Sequence, residues 1–249
     1  MFLVRLEQFE PLIDATSLLA QVAKDADVKF TPLMLMIIVS NRSPQFVATL
    51  QLSRRLFTNF SVDHNKSSKV SLQPFHDAML DGGSFSSMTI HLLDTTNQMV
   101  LRFETPSHDV PPLHHELALS PPQAENLGQV EYGNFFTVTS RELRRIIKEL
   151  PLFHQDTVSV TVTGSQVKFS IQSKEIILTK EGGHCKIVGY EGEVETKLQV
   201  VLRPMMFFLN FTYRANKVWF YKTITNSHSV MSTPAFGTYG QYVIYFPQL

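Results

Sequence analysis

The sequence predicts an α+β protein of two similar domains, each with two helices packed on antiparallel sheets. Three observations lead there. Many short segments are rich in β-branched and aromatic residues and alternate in polarity, as half-buried strands do. Four segments instead place apolar residues at helical spacing. The order strand, helix, strands, helix, strands runs through residues 1–116 and again through 133–249. A repeat close to half the chain points to duplication rather than to a solenoid. Residues 117–132, "LALSPPQAENLGQVEY", hold Pro121-Pro122 and Gly128, show little periodicity and read as the connecting linker.

In chain order, "MFLVRL" opens the first domain as a strand, and residues 9–24, "FEPLIDATSLLAQVAK", follow as a helix. "DVKF", "LMLMIIVS" and "QFVATLQL" are strands. Residues 71–81, "SLQPFHDAMLD", form the second helix with Ser71 as N-cap. "SMTIHLLD" and "QMVLRFET" flank "TTN" as a hairpin. In the second domain the strand "FFTVTS" leads into a helix over 140–150, with Ser140 as N-cap. "TVSVTVTGSQVKFSIQS" alternates around a two-residue turn at Gly164-Ser165. The strands "EIILTK" and "TKLQVVL" precede a helix over 203–215, with Pro204 in its first turn, where the missing N–H costs little. "KVWFYKTI" and "QYVIYF" complete the domain.

Charge and cysteine usage narrow the function. The 22 Lys and Arg balance the 22 Asp and Glu, so the whole chain has no pull on nucleic acid, and any polyanion site has to be local. Cys185 is the one cysteine, so no disulfide forms within the chain, as suits a reducing compartment. "MFLVRLEQFEPL" lacks the basic and apolar regions of a signal peptide, and "PLMLMIIV" at 32–39 is too short to span a bilayer.

One helix stands out. In "SRELRRIIKEL", residues 140–150, Leu143, Ile146, Ile147 and Leu150 form one apolar face. The opposite face carries Arg141, Arg144, Arg145 and Lys148 at i, i+3, i+4 and i+7. Like charges at this spacing repel mildly, so the stripe asks for an anionic counterpart or lies in solvent.

The order and spacing of several short stretches resemble the sliding clamps of DNA replication, the proliferating cell nuclear antigen (PCNA) family. They are "MF..RL" at 1–6, "VLRFETP" at 100–106, "LG..EY" at 127–132, "EL.RIIKEL" from Glu142 to Leu150, "D.V.V...G..VKFS" at 156–170, "LRPMMFF" at 202–208 and "YFP" at 245–247. The resemblance covers nearly the whole chain. It implies the DNA-clamp fold and a ring-forming homotrimer, with helices lining a hole for duplex DNA. On it, Arg141, Arg144, Arg145 and Lys148, with Arg203, Arg214 and Lys24, are the DNA-binding residues, and phosphate contacts would bind without reading sequence. It implies a partner pocket at Ser40, Pro44, Gln45 and Val47, with Leu127 on the linker and Pro234, Ile244, Phe246 and Pro247 near the end. Polymerase and other proteins bearing a short hydrophobic-aromatic motif would dock there. A clamp loader and a nuclear location, or the site of viral DNA replication, are further expectations. The subunit joint would pair edges at about 108–117 and 174–181.

The chain departs from the family in ways that matter. Ile13, Asp14 and Ala20 stand where the first helix usually has lysines, leaving Lys24, and Asp77 and Leu80 replace basic residues in the second. Asn210 replaces a lysine in the fourth, and Ser40 and Pro44 stand where the pocket usually has methionine and histidine. Gly164 occupies the turn where eukaryotic members present a lysine, consistent with a divergent member, viral or paralogous. The alternative function is a clamp-fold interaction protein or checkpoint-type clamp subunit with weak or no DNA contact. No enzyme is expected: the sequence has no phosphate loop, no G-x-S-x-G and no H-E-x-x-H. No cofactor or metal is expected either, because His114-His115 and His184-Cys185 are neighbours that point to opposite faces of a strand.

Overall fold

The computed structural model describes residues 2–43, 45–93, 97–107, 109–123, 127–152, 156–172, 174–190, 192, 194–225 and 228–247. It is an α+β protein with four α-helices and antiparallel sheets among these residues. Two compact units divide it. Unit 1 is Met1–Val39, Thr49–Glu125 and Phe236–Gln241, and unit 2 is Ser40–Ala48, Asn126–Ala235 and Tyr242–Leu249.

The first eleven elements are β1 (Phe2–Glu7), α1 (Glu10–Ala20), β2 (Asp25–Phe30), β3 (Met34–Arg42), β4 (Gln45–Ser53), β5 (Asn59–Val62), β6 (Lys66–Ser71), α2 (Leu72–Asp81), β7 (Ser87–Leu93), β8 (Gln98–Glu104) and β9 (Leu113–Ala118). In unit 1, β5-β1-β7-β8-β9 form one sheet, and β3-β2-β6 run side by side in another. Alternation explains β1: Phe2, Val4 and Leu6 are buried while Leu3, Arg5 and Glu7 face outward. Helix α1 buries Leu12, Ala15, Leu18 and Leu19, one face at helical spacing, and packs on α2. Phe9 meets Phe103 with ring centroids 5.3 Å apart, and both are fully buried. Burying each such ring stabilises by roughly 2 kcal/mol.

The next eleven are β10 (Val130–Thr139), α3 (Ser140–Glu149), β11 (Thr157–Val162), β12 (Gln166–Ile171), β13 (Lys174–Thr179), β14 (Cys185–Val188), β15 (Thr196–Val201), α4 (Met205–Thr212), β16 (Lys217–Thr223), β17 (Ser229–Ala235) and β18 (Gly240–Phe246). In unit 2, β13-β12-β11-β15 form one sheet, and β14-β10-β16-β17-β18 run side by side in another. Phe136 stacks on Phe220 at 4.5 Å, and Phe169 meets Phe220 edge-on at 6.0 Å. Phe46, Phe207, Phe208 and Phe246 form a second aromatic cluster.

The two lists have the same order: one strand, a helix, five strands, a helix, three strands. Their pairings also correspond when nine is added to each strand number. β1 pairs with β5 and β7 as β10 pairs with β14 and β16, and β2 pairs with β3 and β6 as β11 pairs with β12 and β15.

Several elements differ from the sequence expectation. Strands β5, β6, β14 and β17 are additional. They are short or polar, as in "KSSKVS", and owe their state to neighbours rather than to local pattern. Helix α3 is capped by Thr139, whose hydroxyl accepts from the Glu142 amide at 3.2 Å. The expected cap, Ser140, is buried and donates to the Ala215 carbonyl instead. Ser71 is the N-cap of α2 but makes no side-chain cap bond. Helix α4 starts at Met205, after an extended Pro204. β9 begins directly after Pro111-Pro112, because proline donates no ladder bond. The linker is partly held: Ser120 bridges Lys69, and the Gln123 amide donates to the buried Asp27 carboxylate at 2.8 Å. No helix among the described residues is long and apolar enough to cross a membrane.

Gly82 ends α2 against the Phe103 ring, and a methyl added there would overlap the ring. Phe103 is fixed by Phe9, Phe85 and His115 around it and has nowhere to retreat. Gly82→Ala should therefore destabilise by about 1–3 kcal/mol through overpacking, read as a lower midpoint in urea unfolding with the slope unchanged.

Candidate functional site

The cationic stripe lies on α3 in unit 2. Leu143, Ile146 and Ile147 are fully buried, and Leu150 closes the apolar face at the helix end. That burial fixes which way the four cations point. Their environments differ sharply. Arg141 and Lys148 are exposed and meet no carboxylate among the described residues.

Arg144 and Arg145 are engaged within the unit. The Arg144 guanidinium donates to the Thr212 carbonyl at 3.2 Å and lies 4.5 Å over the Tyr213 ring at the end of α4. Arg145 pairs with Glu142 at 2.8 Å and with Glu149 at 3.4 Å. Hydrogen bonding to Glu142 first, then the charges of Glu142 and Glu149, hold its proton more tightly than usual. Two carboxylates thus screen one of the four cations.

The remaining expected DNA contacts are spread out. Arg203 is half-buried and donates to the Leu152 carbonyl, so its guanidinium fastens the chain after α3. Arg214 is exposed beyond α4, and its backbone amide donates to the Phe211 carbonyl at 3.2 Å. Lys24 is exposed in unit 1, after α1. Helices α1 and α2 carry Glu10, Asp14, Asp77 and Asp81 and no Lys or Arg.

The expected partner-pocket residues that are described fall in unit 2. Val47, Ile244 and Phe246 are buried, and Phe246 packs at 6.3–6.4 Å from Phe208 and Phe46. Ser40, Leu127 and Pro247 are half-buried, Gln45 and Pro234 are exposed, and Pro44 lies outside the described residues. Beside Leu127, Gly128 holds a φ of +68°, a backbone state that favours glycine, and a Cβ added there would meet the Thr223 side chain at 3.2 Å.

Cys185 is buried, its thiol donates to the Leu178 carbonyl at 3.6 Å, and burial pushes its pKa up, away from nucleophilic thiolate. His115 faces Asp81 at 3.6 Å and the Phe103 ring, and among the described residues no three His, Cys, Asp or Glu side chains gather as a metal site.

Compared with known proteins, the sequence matches no family model, and no curated protein matches it. The functional reading therefore rests on the residues and their geometry.

Sequence reasoning missed the partners that divide the stripe. Thr212 and Tyr213 sit some seventy positions from Arg144 and carry no local signal of contact with it. Arg144→Ala should cost about 1–2 kcal/mol, combining a lost hydrogen bond with a lost cation–π contact. Lys148→Ala should stay within about 0.5 kcal/mol. Thermal or urea unfolding of both variants checks the difference; equal costs would mean that Arg144 is as loose as Lys148.

Proposed function

We propose that the protein is a DNA sliding clamp of the PCNA kind. Three copies close head to tail around duplex DNA and tether polymerase and other partners. A clamp loader opens the ring, in the nucleus or at a site of viral DNA replication. The observation that carries this reading is a pairing made once and left open once. Strand β18 pairs with β4 in one sheet. Subtracting nine from β18 gives β9, and adding nine to β4 gives β13. Both are sheet edges whose outer sides pair with no strand among the described residues.

The other edges, β5, β14, β6 and β15, are edges in both repeats and need no such explanation. They are also managed. β5 and β14 have four residues each, β6 bonds Ser120, and the Gln199 amide of β15 bonds the Ser229 hydroxyl. β9 and β13 have six residues each, and Ile177 on β13 is 50% exposed. One open edge in each unit, the two complementary by internal repeat, is what a heterologous interface closing into a ring would use.

A second reading is favoured by a specific observation. The helices α1 and α2 bear four carboxylates and no Lys or Arg, so half of the lining would repel phosphate. On that reading the protein is a clamp-fold interaction subunit that holds DNA weakly or not at all.

Light scattering should return about three times 28.3 kDa at micromolar concentration. Ile177→Asp, which sets a charge in the joint, should shift it toward the single-chain mass. A wild-type mass of one chain, or a trimer indifferent to Ile177→Asp, counts against the β9–β13 joint.

Binding to linear duplex should be sequence-blind and fall with salt, at a slope of roughly −0.9 in log K against log salt per phosphate contact. Because Arg141 and Lys148 are the exposed, unscreened cations of α3, replacing both with Ala should weaken binding and flatten that slope. Unchanged affinity and slope would make the interaction-subunit reading the better one.

A further inference from the structure

We infer that unit 1 carries a docking site for an acidic peptide, independent of the DNA-facing helices. The site is a cavity of about 550 Å³ where three turns converge. One is the β2–β3 turn with Leu33. The second is the turn Arg54–Leu56 after β4, and the third is the β17–β18 turn with Tyr239. Backbone bonds fix the three to one another: the Ser53 amide donates to the Tyr239 carbonyl at 2.7 Å, and the Arg54 amide donates to the Leu33 carbonyl at 2.9 Å. The site is therefore built into the fold of unit 1 rather than assembled from loose side chains.

Its chemistry is one-sided. Arg54 and Arg55 line it and no carboxylate does. Elsewhere in the chain Arg5, Arg102 and Arg145 all hold carboxylates within 2.5–3.4 Å. Arg54 and Arg55 hold none among the described residues, and Arg54 only overlies the Phe60 ring at 6.0 Å. Two arginines, neighbours in sequence and both lining the cavity without a carboxylate, are poised for an external carboxylate or phosphate, which arginine binds in bidentate fashion.

The rest of the lining decides which anion. Leu33 is 67% exposed and Tyr239 is 46% exposed, an apolar rim that a bare phosphate would not use. The Gln241 side-chain amide donates to that of Gln51 at 3.0 Å, so two amide groups sit in the lining. Gln51 in turn donates to the Thr49 hydroxyl at 3.3 Å, so the pair is a fixed polar part of the lining. A nucleic-acid strand instead wants cations along successive phosphates, and this site offers two side by side. The occupant fitted by all three features is a peptide with acidic side chains next to an apolar one. The sequence signal was "SRRLF" after a strand, easily passed over because paired arginines on a turn usually lie in solvent.

The test uses the full chain and fluorescence anisotropy with three labelled probes: a short Glu/Asp peptide with a central Leu, its Gln/Asn counterpart, and a single-stranded oligonucleotide. The acidic peptide should bind, the neutral one about tenfold or more weaker, and Arg54→Gln/Arg55→Gln should remove that preference, a tenfold change being about 1.4 kcal/mol. Amide chemical-shift changes on the wild-type protein should centre on Leu33, Arg54, Arg55 and Tyr239, a readout that needs no variant. No binding of the acidic peptide, equal binding of the neutral one, tighter binding of the oligonucleotide, or shifts centred elsewhere would each overturn the proposal. The oligomeric mass of the double variant separates this from the clamp reading, because a failure here leaves the β9–β13 joint untouched.

Discussion

Backbone pairing at strand edges is the constraint on which the rest of this protein depends. Each strand has to give its N–H and C=O groups a partner, and the fold does so by repeating one set of pairings twice. The repeat is not complete, however. β18 finds β4, whereas their counterparts β9 and β13 end their sheets. An unpaired edge in water is tolerable but reactive toward other strands. That asymmetry, more than any side chain, makes self-assembly the natural reading.

The helices matter through what their apolar faces leave outside. α3 buries Leu143, Ile146 and Ile147, which aims its cations away from the core. The aim does not make the cations equivalent. Arg144 is held by Thr212 and Tyr213, and Arg145 by two glutamates, so rigidity and screening set how much charge each offers. A partly screened stripe suits weak, non-specific contact better than tight binding, since exposed ion pairs trade little energy and fall away with salt. Arg203 shows the same competition more strongly, its guanidinium being turned to the Leu152 carbonyl.

The aromatic clusters explain why several of the expected partner residues are buried. Phe46 draws Phe207, Phe208 and Phe246 together, and Val47 and Ile244 are buried as well. What remains at the surface is smaller and more polar: Ser40, Gln45, Pro234 and Pro247. Partner recognition through this face would rely on Leu127 and on backbone pairing more than on deep anchors. The arginine-bearing cavity of unit 1 has the opposite character, with charge and exposed apolar surface side by side.

The sequence by itself determined the element types wherever a local pattern was strong. The α3 face, the Val162–Val167 hairpin ends and the alternation of β1 needed no tertiary information, because one amphipathic period settles each. It also announced the duplication, which follows from order alone. It left out β5, β6, β14 and β17, whose residues become strands because neighbours supply pairing partners. It named the cations but not their worth. Only the tertiary structure brought Tyr213 under Arg144, turned Arg203 inward, buried Ile244 and Phe246, and gathered Leu33, Arg54 and Tyr239 around one cavity. The reason is physical: charge, burial and access depend on residues far apart in the chain, and no local period records them.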